Sequence, residues 1–295
     1  MIKEPLVYII IVNYNGYQDT IECVNSLKKI TYNNIEIIVV DNASTNNSYN
    51  LLDTELDNCT ILKSNSNNGF SAGNNIGIKY ALEKKAEYIL LLNNDTIVDK
   101  NFLNPLIEAM SDSLVGISAG KIYYYDRKKV IWSAGGYLNR LKALGCHYGM
   151  NSPDLQKFNI KREVSFLTGC CQLIRSSIFD EIGLYDEDYF LYLEDADYCL
   201  KVLKSGYKMI YEPKSVIYHK VSSSVEEFSE MYLYYFTRNR LMFMNKIEYR
   251  VGIKFISLTY FIFTRLISIL KYRQKSKAIL RGIEDYYDNK IGKSF

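Results

Sequence analysis

The sequence predicts an α/β fold with a mostly parallel sheet flanked by helices and a helical extension at the C-terminus. Three observations carry this. Hydrophobic period alternates between strand-like runs and helix-like stripes through the first hundred residues, as strands joined by crossover helices require. Four of those runs end in Asn, Asp or Gly, where the carboxyl edge of a parallel sheet would lie. From residue 226 the chain reads as helical almost to its end.

The elements follow in order. "LVYIIIV" (6–12) is a continuous apolar run, suited to a strand buried on both faces. "TIECVNSLKKI" sets Ile21, Val24, Leu27 and Ile30 on one helical stripe. "IEIIVVD" (35–41) is a second buried strand, and the Ser/Thr/Asn cluster at 42–48 starts a helix. "CTILKS" is a third strand, "SAGNNIGIKYALEKK" a glycine-interrupted helix, and "YILLLN" a fourth strand. Beyond residue 115, "GISAGKIYYY" and "KVIWSAGGYL" read as strands, with a polar loop near 139–161. "YLEDADYCLKVLKSG" is a helix stopped by Gly206, and "YKMIYEP" a last short strand leading to His219.

The 295 residues suffice for one large domain with an appendage, divided here as 1–245 and 246–295. A net charge of +3 argues against a nucleic-acid partner. Six cysteines (23, 59, 146, 170, 171 and 199) form no CxxC pair and no zinc spacing, which predicts buried free thiols in a reducing compartment. The early apolar run is short and is followed by Asn-Tyr-Asn-Gly rather than a cleavage site, so a cytoplasmic location is expected.

The chemistry concentrates at the strand ends. They read "VNYNG", "VVDNAS", "NNGFSAGNNIG" and "NNDT". Each cluster alone is ordinary turn composition. Four on one edge predict a ligand site, since open α/β sheets bind ligands there. "YLEDADYC" adds three carboxylates, Glu194, Asp195 and Asp197, at a helix start; alone they could simply complement the helix dipole.

Taken together, these motifs resemble the inverting glycosyltransferases of family 2, which have the GT-A fold, and among them the rhamnosyltransferase-like and galactofuranosyltransferase-like members. The resemblance covers roughly residues 5 to 245. It implies transfer of a sugar from a nucleotide-diphosphate donor, with dTDP-rhamnose favoured and UDP-sugars open, to a glycan or polyprenyl-linked acceptor in cell-surface polysaccharide synthesis. Val12, Asn13 and Tyr14 would meet the donor, with Tyr14 stacking on the base. Asp41 would accept the N3–H of uracil or thymine. Gly69, Gly73 and Asn75 would let backbone approach the ribose and diphosphate. "NND" stands where the family has DxD. Asn93 replaces the first aspartate, Asn94 follows, and Asp95 would hold Mn²⁺ or Mg²⁺ with His219. Asp195 would be the general base and Glu194 its neighbour at the acceptor. Asp197 is the runner-up base, in the acceptor site with Thr168 and Gly169. Arg238 and Arg240 would lie nearest the donor phosphates.

Residues 246 to 281 carry nine Lys or Arg and one acid, Glu248, around "FISLTYFIFTRLISIL". This predicts a helix at the inner face of the cell membrane, or one packed on the catalytic domain or in a homodimer, with Lys246, Arg250, Lys254 and Arg265 on one side if the helix is continuous. Two rival readings are a nucleotidyltransferase, disfavoured for want of a glycine-rich loop with Arg and Lys after the first strand, and a non-catalytic scaffold, supported only by Asn93.

Overall fold

The computed structural model describes residues 4–221, 228–250 and 252–294. The strands are β1 (Val7–Asn13), β2 (Ile35–Asp41), β3 (Cys59–Lys63), β4 (Tyr88–Leu92), β5 (Thr96–Val98), β6 (Val115–Tyr124), β7 (Ile131–Ser133), β8 (Gly136–Asn139), β9 (Leu144–His147), β10 (Arg162–Val164), β11 (Cys171–Arg175) and β12 (Lys208–His219). The helices are α1 (Tyr17–Leu27), α2 (Ser48–Glu55), α3 (Gly69–Glu83), α4 (Leu103–Ala109), α5 (Ile178–Ile182), α6 (Glu194–Lys204), α7 (Glu230–Lys246), α8 (Ile253–Lys271) and α9 (Ser276–Tyr287).

One sheet organises the molecule, in the order β10-β12-β6-β11-β4-β1-β2-β3. β4, β1, β2 and β3 are parallel, so Asn13 and Asp41 stand side by side at the same edge as the end of β4. β11 runs antiparallel between β4 and β6. β5 turns back antiparallel along β12, pairing Thr96 with His219.

Side chains alternate between two cores, as the pleat dictates. Val7, Ile9 and Ile11 join α1, α2 and α4 on one face. Tyr8 and Ile10 join α3, α6 and α7 on the other. α3 comes so close to the sheet that a Cβ on Gly73 would lie 2.8 Å from Val12 Cγ1.

The sequence expectations differ from the structure in three places. The short strand before His219 is twelve residues long, with a register shift between Glu212 and Val216. "KVIWSAGGYL" is two strands, and the loop after it holds β9. The C-terminal helix is not continuous: α7 stops at Lys246, and α8 begins after Gly252, whose φ is +87°. α9 packs back on α7, where Tyr234 donates to Asp285 at 2.6 Å. Residues 276–294 therefore close onto the body of the protein. The six cysteines are free, as expected.

Candidate active site

Asn13 and Asp41, both fully buried, hold the turn that follows β1. The Asn13 amide donates to Asp41 Oδ1 at 2.9 Å, and its carbonyl accepts from Gly16 N–H and Thr20 Oγ1. Asp41 also accepts from the Ser44 amide and hydroxyl, at 3.1 and 2.6 Å. Asn15, with φ +58°, ties this turn to Thr45 and Asn46. These bonds leave Tyr14 at the rim, 41% exposed, with its ring open to a stacking partner.

Several expected donor contacts have other work. Gly69, at φ +96°, is required because a Cβ there would lie 2.1 Å from the Phe190 carbonyl oxygen. Gly73 serves the packing of α3 on Val12. The Asn75 side chain is spent on Tyr185 and Glu187, fastening α3 to the loop before α6. Asn94 reaches Thr20 Oγ1 at 3.1 Å, which steadies the start of α1.

The metal expectation concerns Asp95 and His219. β5 starts one residue after Asp95 and lies against the end of β12, which sets Asp95 Oδ1 3.1 Å from His219 Nε2. Both residues are more than nine-tenths buried. Trp132, the chain's one tryptophan, meets the His219 ring edge-on at 4.6 Å. Sequence reasoning missed Trp132, whose only signal was its rarity. The pair fits a divalent cation: bonds of about 2.0–2.2 Å would set two neighbouring ligands roughly 3 Å apart. Asn93 Oδ1 is buried nearby in sequence with no partner among the described residues. No third His, Cys, Asp or Glu joins the pair among the described residues, so phosphate oxygens and water would complete the shell, as is usual for Mg²⁺. His147 is pushed down to about 4, chiefly by burial, and packs between Trp132 and Phe166.

The acids lie on the same edge. Asn93 N–H donates to Cys170 O at 2.9 Å, and the preceding residue, Gly169, donates to Asp195 Oδ2 at 3.0 Å. One short backbone segment therefore links the end of β4 to the start of α6. Asp195 also accepts from Ala196 N–H at 2.7 Å and from the Thr168 hydroxyl. Glu194 is the more buried of the two, and its Oε2 has no partner among the described residues. Burial raises both carboxyls, and the adjacent Asp195 charge helps push Glu194 up to about 8. The donors from Gly169, Ala196 and Thr168 favour the charged form of Asp195, whereas Glu194 has no such donor on Oε2 among the described residues.

Three expectations are corrected here. Asp197 points away from its neighbours into an ion pair with Lys246 at 3.1 Å and Lys201 at 3.7 Å, because residues i and i+2 occupy different helix faces. Arg238 is bound to Gly292 O, Ser294 and Asp188 O. Arg240 lies in the contact between α7 and α8, donating to Lys142 O and Thr264 Oγ1.

The sequence profile of Glycosyl transferase family 2 matches residues 8–183. The dTDP-rhamnosyl transferase RfbF of Shigella flexneri is 24% identical over 250 residues, covering 81% of this chain and 80% of that protein. The N-acetylglucosaminyl-diphospho-decaprenol L-rhamnosyltransferase of Mycobacterium tuberculosis is 24% identical over 222 residues, covering 68% and 71%. The chain spans only 25%, 62% and 40% of the length of three other curated relatives. Among solved structures, the mannosyltransferase PcManGT of Pyrobaculum calidifontis, in complex with GDP-Man and Mn²⁺, superposes with a TM-score of 0.60 at 13% identity, covering 98% of this chain and 89% of that one. At that identity the likeness establishes the fold, which is the GT-A architecture expected from the motifs.

Proposed function

The chain belongs to glycosyl transferase family 2, and on that premise we propose that it moves one sugar from a nucleotide-diphosphate donor to a glycan or polyprenyl-linked acceptor, with inversion at the sugar's C1. dTDP-rhamnose is the favoured donor, in line with two relatives named as rhamnosyltransferases. The observation that carries the proposal is the convergence on one sheet edge of the Asp95–His219 pair and the Glu194–Asp195 pair, joined through Asn93, Cys170 and Gly169.

Tyr14 stacks on the base, a contact worth about 1–3 kcal/mol, and Asp41 offers its remaining lone pairs to the base N3–H. Asp95 and His219 would hold Mn²⁺ or Mg²⁺, which when bound offsets negative charge on the departing diphosphate. Asp195 accepts the proton of the acceptor hydroxyl as that oxygen bonds to C1 and the C1–O bond to the diphosphate breaks. Its fixed donors from Gly169, Ala196 and Thr168 favour its charged form against the burial that raises it. Glu194, carrying a proton, donates a hydrogen bond toward the acceptor.

The test is Asp195→Asn, which keeps size but cannot take the proton. Transfer should fall roughly 10²- to 10⁴-fold, the usual contribution of a general base, with nucleotide-diphosphate affinity near wild type. Near-normal transfer by the variant would remove Asp195 from the mechanism.

A further inference from the structure

β7 is three residues long, and its middle residue is Trp132. β6 pairs Ile122 with Ser133 and Tyr123 with Ile131, so β7 advances two residues where β6 advances one. Trp132 is the extra residue of a β-bulge. Ile131 and Ser133 on either side of it are buried, whereas Trp132 is half-buried. A bulge re-aims the side chain it carries, and bulges recur beside active sites. This one sets the indole against the His219 ring, with 4.6 Å between centroids and 86° between planes. β6 lies between β7 and β12 and pairs Tyr124 with His219, so the indole reaches across one strand.

A second set of contacts holds the indole. The ring of His147, on β9, lies 4.9 Å from it at a tilt of 55°. His147 Nδ1 and Ser133 Oγ share a hydrogen bond at 2.9 Å. Phe166 meets the His147 ring edge-on at 5.3 Å. Ser133 directly follows Trp132, so the residue after the indole anchors the ring that packs on it.

What His219 lacks gives this packing its weight. A histidine that binds metal through one ring nitrogen usually donates the N–H of the other to a carboxylate, a carbonyl or water, and that bond fixes the ring. His219 Nδ1 is buried with no hydrogen-bond partner among the described residues. Its Nε2 faces Asp95 Oδ1 at 3.1 Å. To ligate a shared cation Nε2 must present its lone pair, so it can no longer donate to Asp95. The packing on Trp132 does not depend on that bond and stays in place without it.

We propose that Trp132 is a positioning residue for the metal site: its edge-on contact holds the His219 imidazole in the orientation that takes a divalent cation with Asp95. This rests on the reading that Asp95 and His219 share that cation.

The test uses the full chain with Mn²⁺ and either dTDP or UDP, whose phosphate oxygens complete the shell. Continuous-wave EPR gives the affinity from the signal of free Mn²⁺, and pulsed EPR reads nitrogen modulation from an imidazole bound to the ion. Wild type should show that modulation, and His219→Ala should not. Trp132→Leu and Trp132→Met keep an apolar side chain without a ring. Each should weaken Mn²⁺ binding roughly 10- to 100-fold, the usual cost of losing a group that orients a metal ligand, and should lose most of the modulation. Trp132→Phe keeps a ring and should restore both. Melting in EDTA identifies the variants that fold, and a merely structural role would leave the modulation of folded protein unchanged. A folded Leu or Met variant with wild-type affinity and modulation overturns the proposal and leaves the metal reading intact. Wild type without nitrogen modulation, or His219→Ala with undiminished Mn²⁺ affinity, removes the metal reading and the positioning role with it.

Discussion

At the scale of single residues, Glu194 and Asp195 are neighbours with opposite surroundings. Asp195 sits among N–H and O–H donors, whereas Glu194 Oε2 has none among the described residues. The motif was legible in the sequence, but this division was not, because the decisive donors come from Thr168 and Gly169, 26 residues upstream in the case of Gly169. Asp197 was misread for the same reason: its partner Lys246 lies on another helix. The environment of Glu194 has a stability consequence. Its carboxyl is raised from 4.5 to about 8 in the folded protein, mainly by burial. Between those values the unfolded chain has released the proton and the folded one retains it, so this group's contribution to stability is lost as pH rises. Glu194→Gln should abolish that loss. Thermal melting across about pH 5 to 9 should show the variant gaining on wild type toward alkaline pH. Parallel curves would mean Glu194 is not held protonated.

At the scale of elements, the turn into α6 is the strained part. Tyr192 and Leu193 both have positive φ, +73° and +71°, although neither is glycine. Each such residue costs about 1–3 kcal/mol and persists only where its surroundings enforce it. The enforcing group is Asn239 of α7, whose amide donates to Leu191 O at 2.8 Å and Tyr192 O at 3.0 Å. Asn239→Ala should relax the turn and misplace the acids that follow. Transfer should fall roughly 10- to 100-fold, with nucleotide affinity unchanged, since the proposed donor site lies at β1, β2 and β4. Unchanged transfer would show that α7 does not position the acids. Nothing local predicts this bond, which joins residues 47 and 48 positions apart. The parallel strands were easier to read, because "LVYIIIV" and "IEIIVVD" are long apolar runs. β11 was not, since Gln172 and Arg175 break its five-residue pattern. β5 and β10, at three residues each, are too short to carry a period.

At the scale of the whole molecule, the proposed nucleotide end of the cleft lies on the parallel half of the sheet, and the proposed acceptor end on the β11–α6–α7 side. Asp95 and His219 stand between them, brought together from distant parts of the chain by β5 on β12. The strand ends were legible because each motif directly follows its own strand. The acceptor end depends on how α7, α8 and α9 fold back, which composition alone could not order. By length and composition α8 is apolar enough to cross a membrane, yet Arg265 and Thr264 make polar contacts with α7. The central claim is inverting transfer of a sugar, and the anomeric configuration of the product tests it most directly. The protein, a divalent cation, a panel of nucleotide sugars headed by dTDP-rhamnose and a polyprenyl-diphosphate-linked acceptor would be combined, and the new glycoside read by NMR. The account predicts a linkage of configuration opposite to the donor's, with one nucleoside diphosphate released per glycoside formed. Retained configuration, or release of pyrophosphate with a nucleotidylated product, would contradict it.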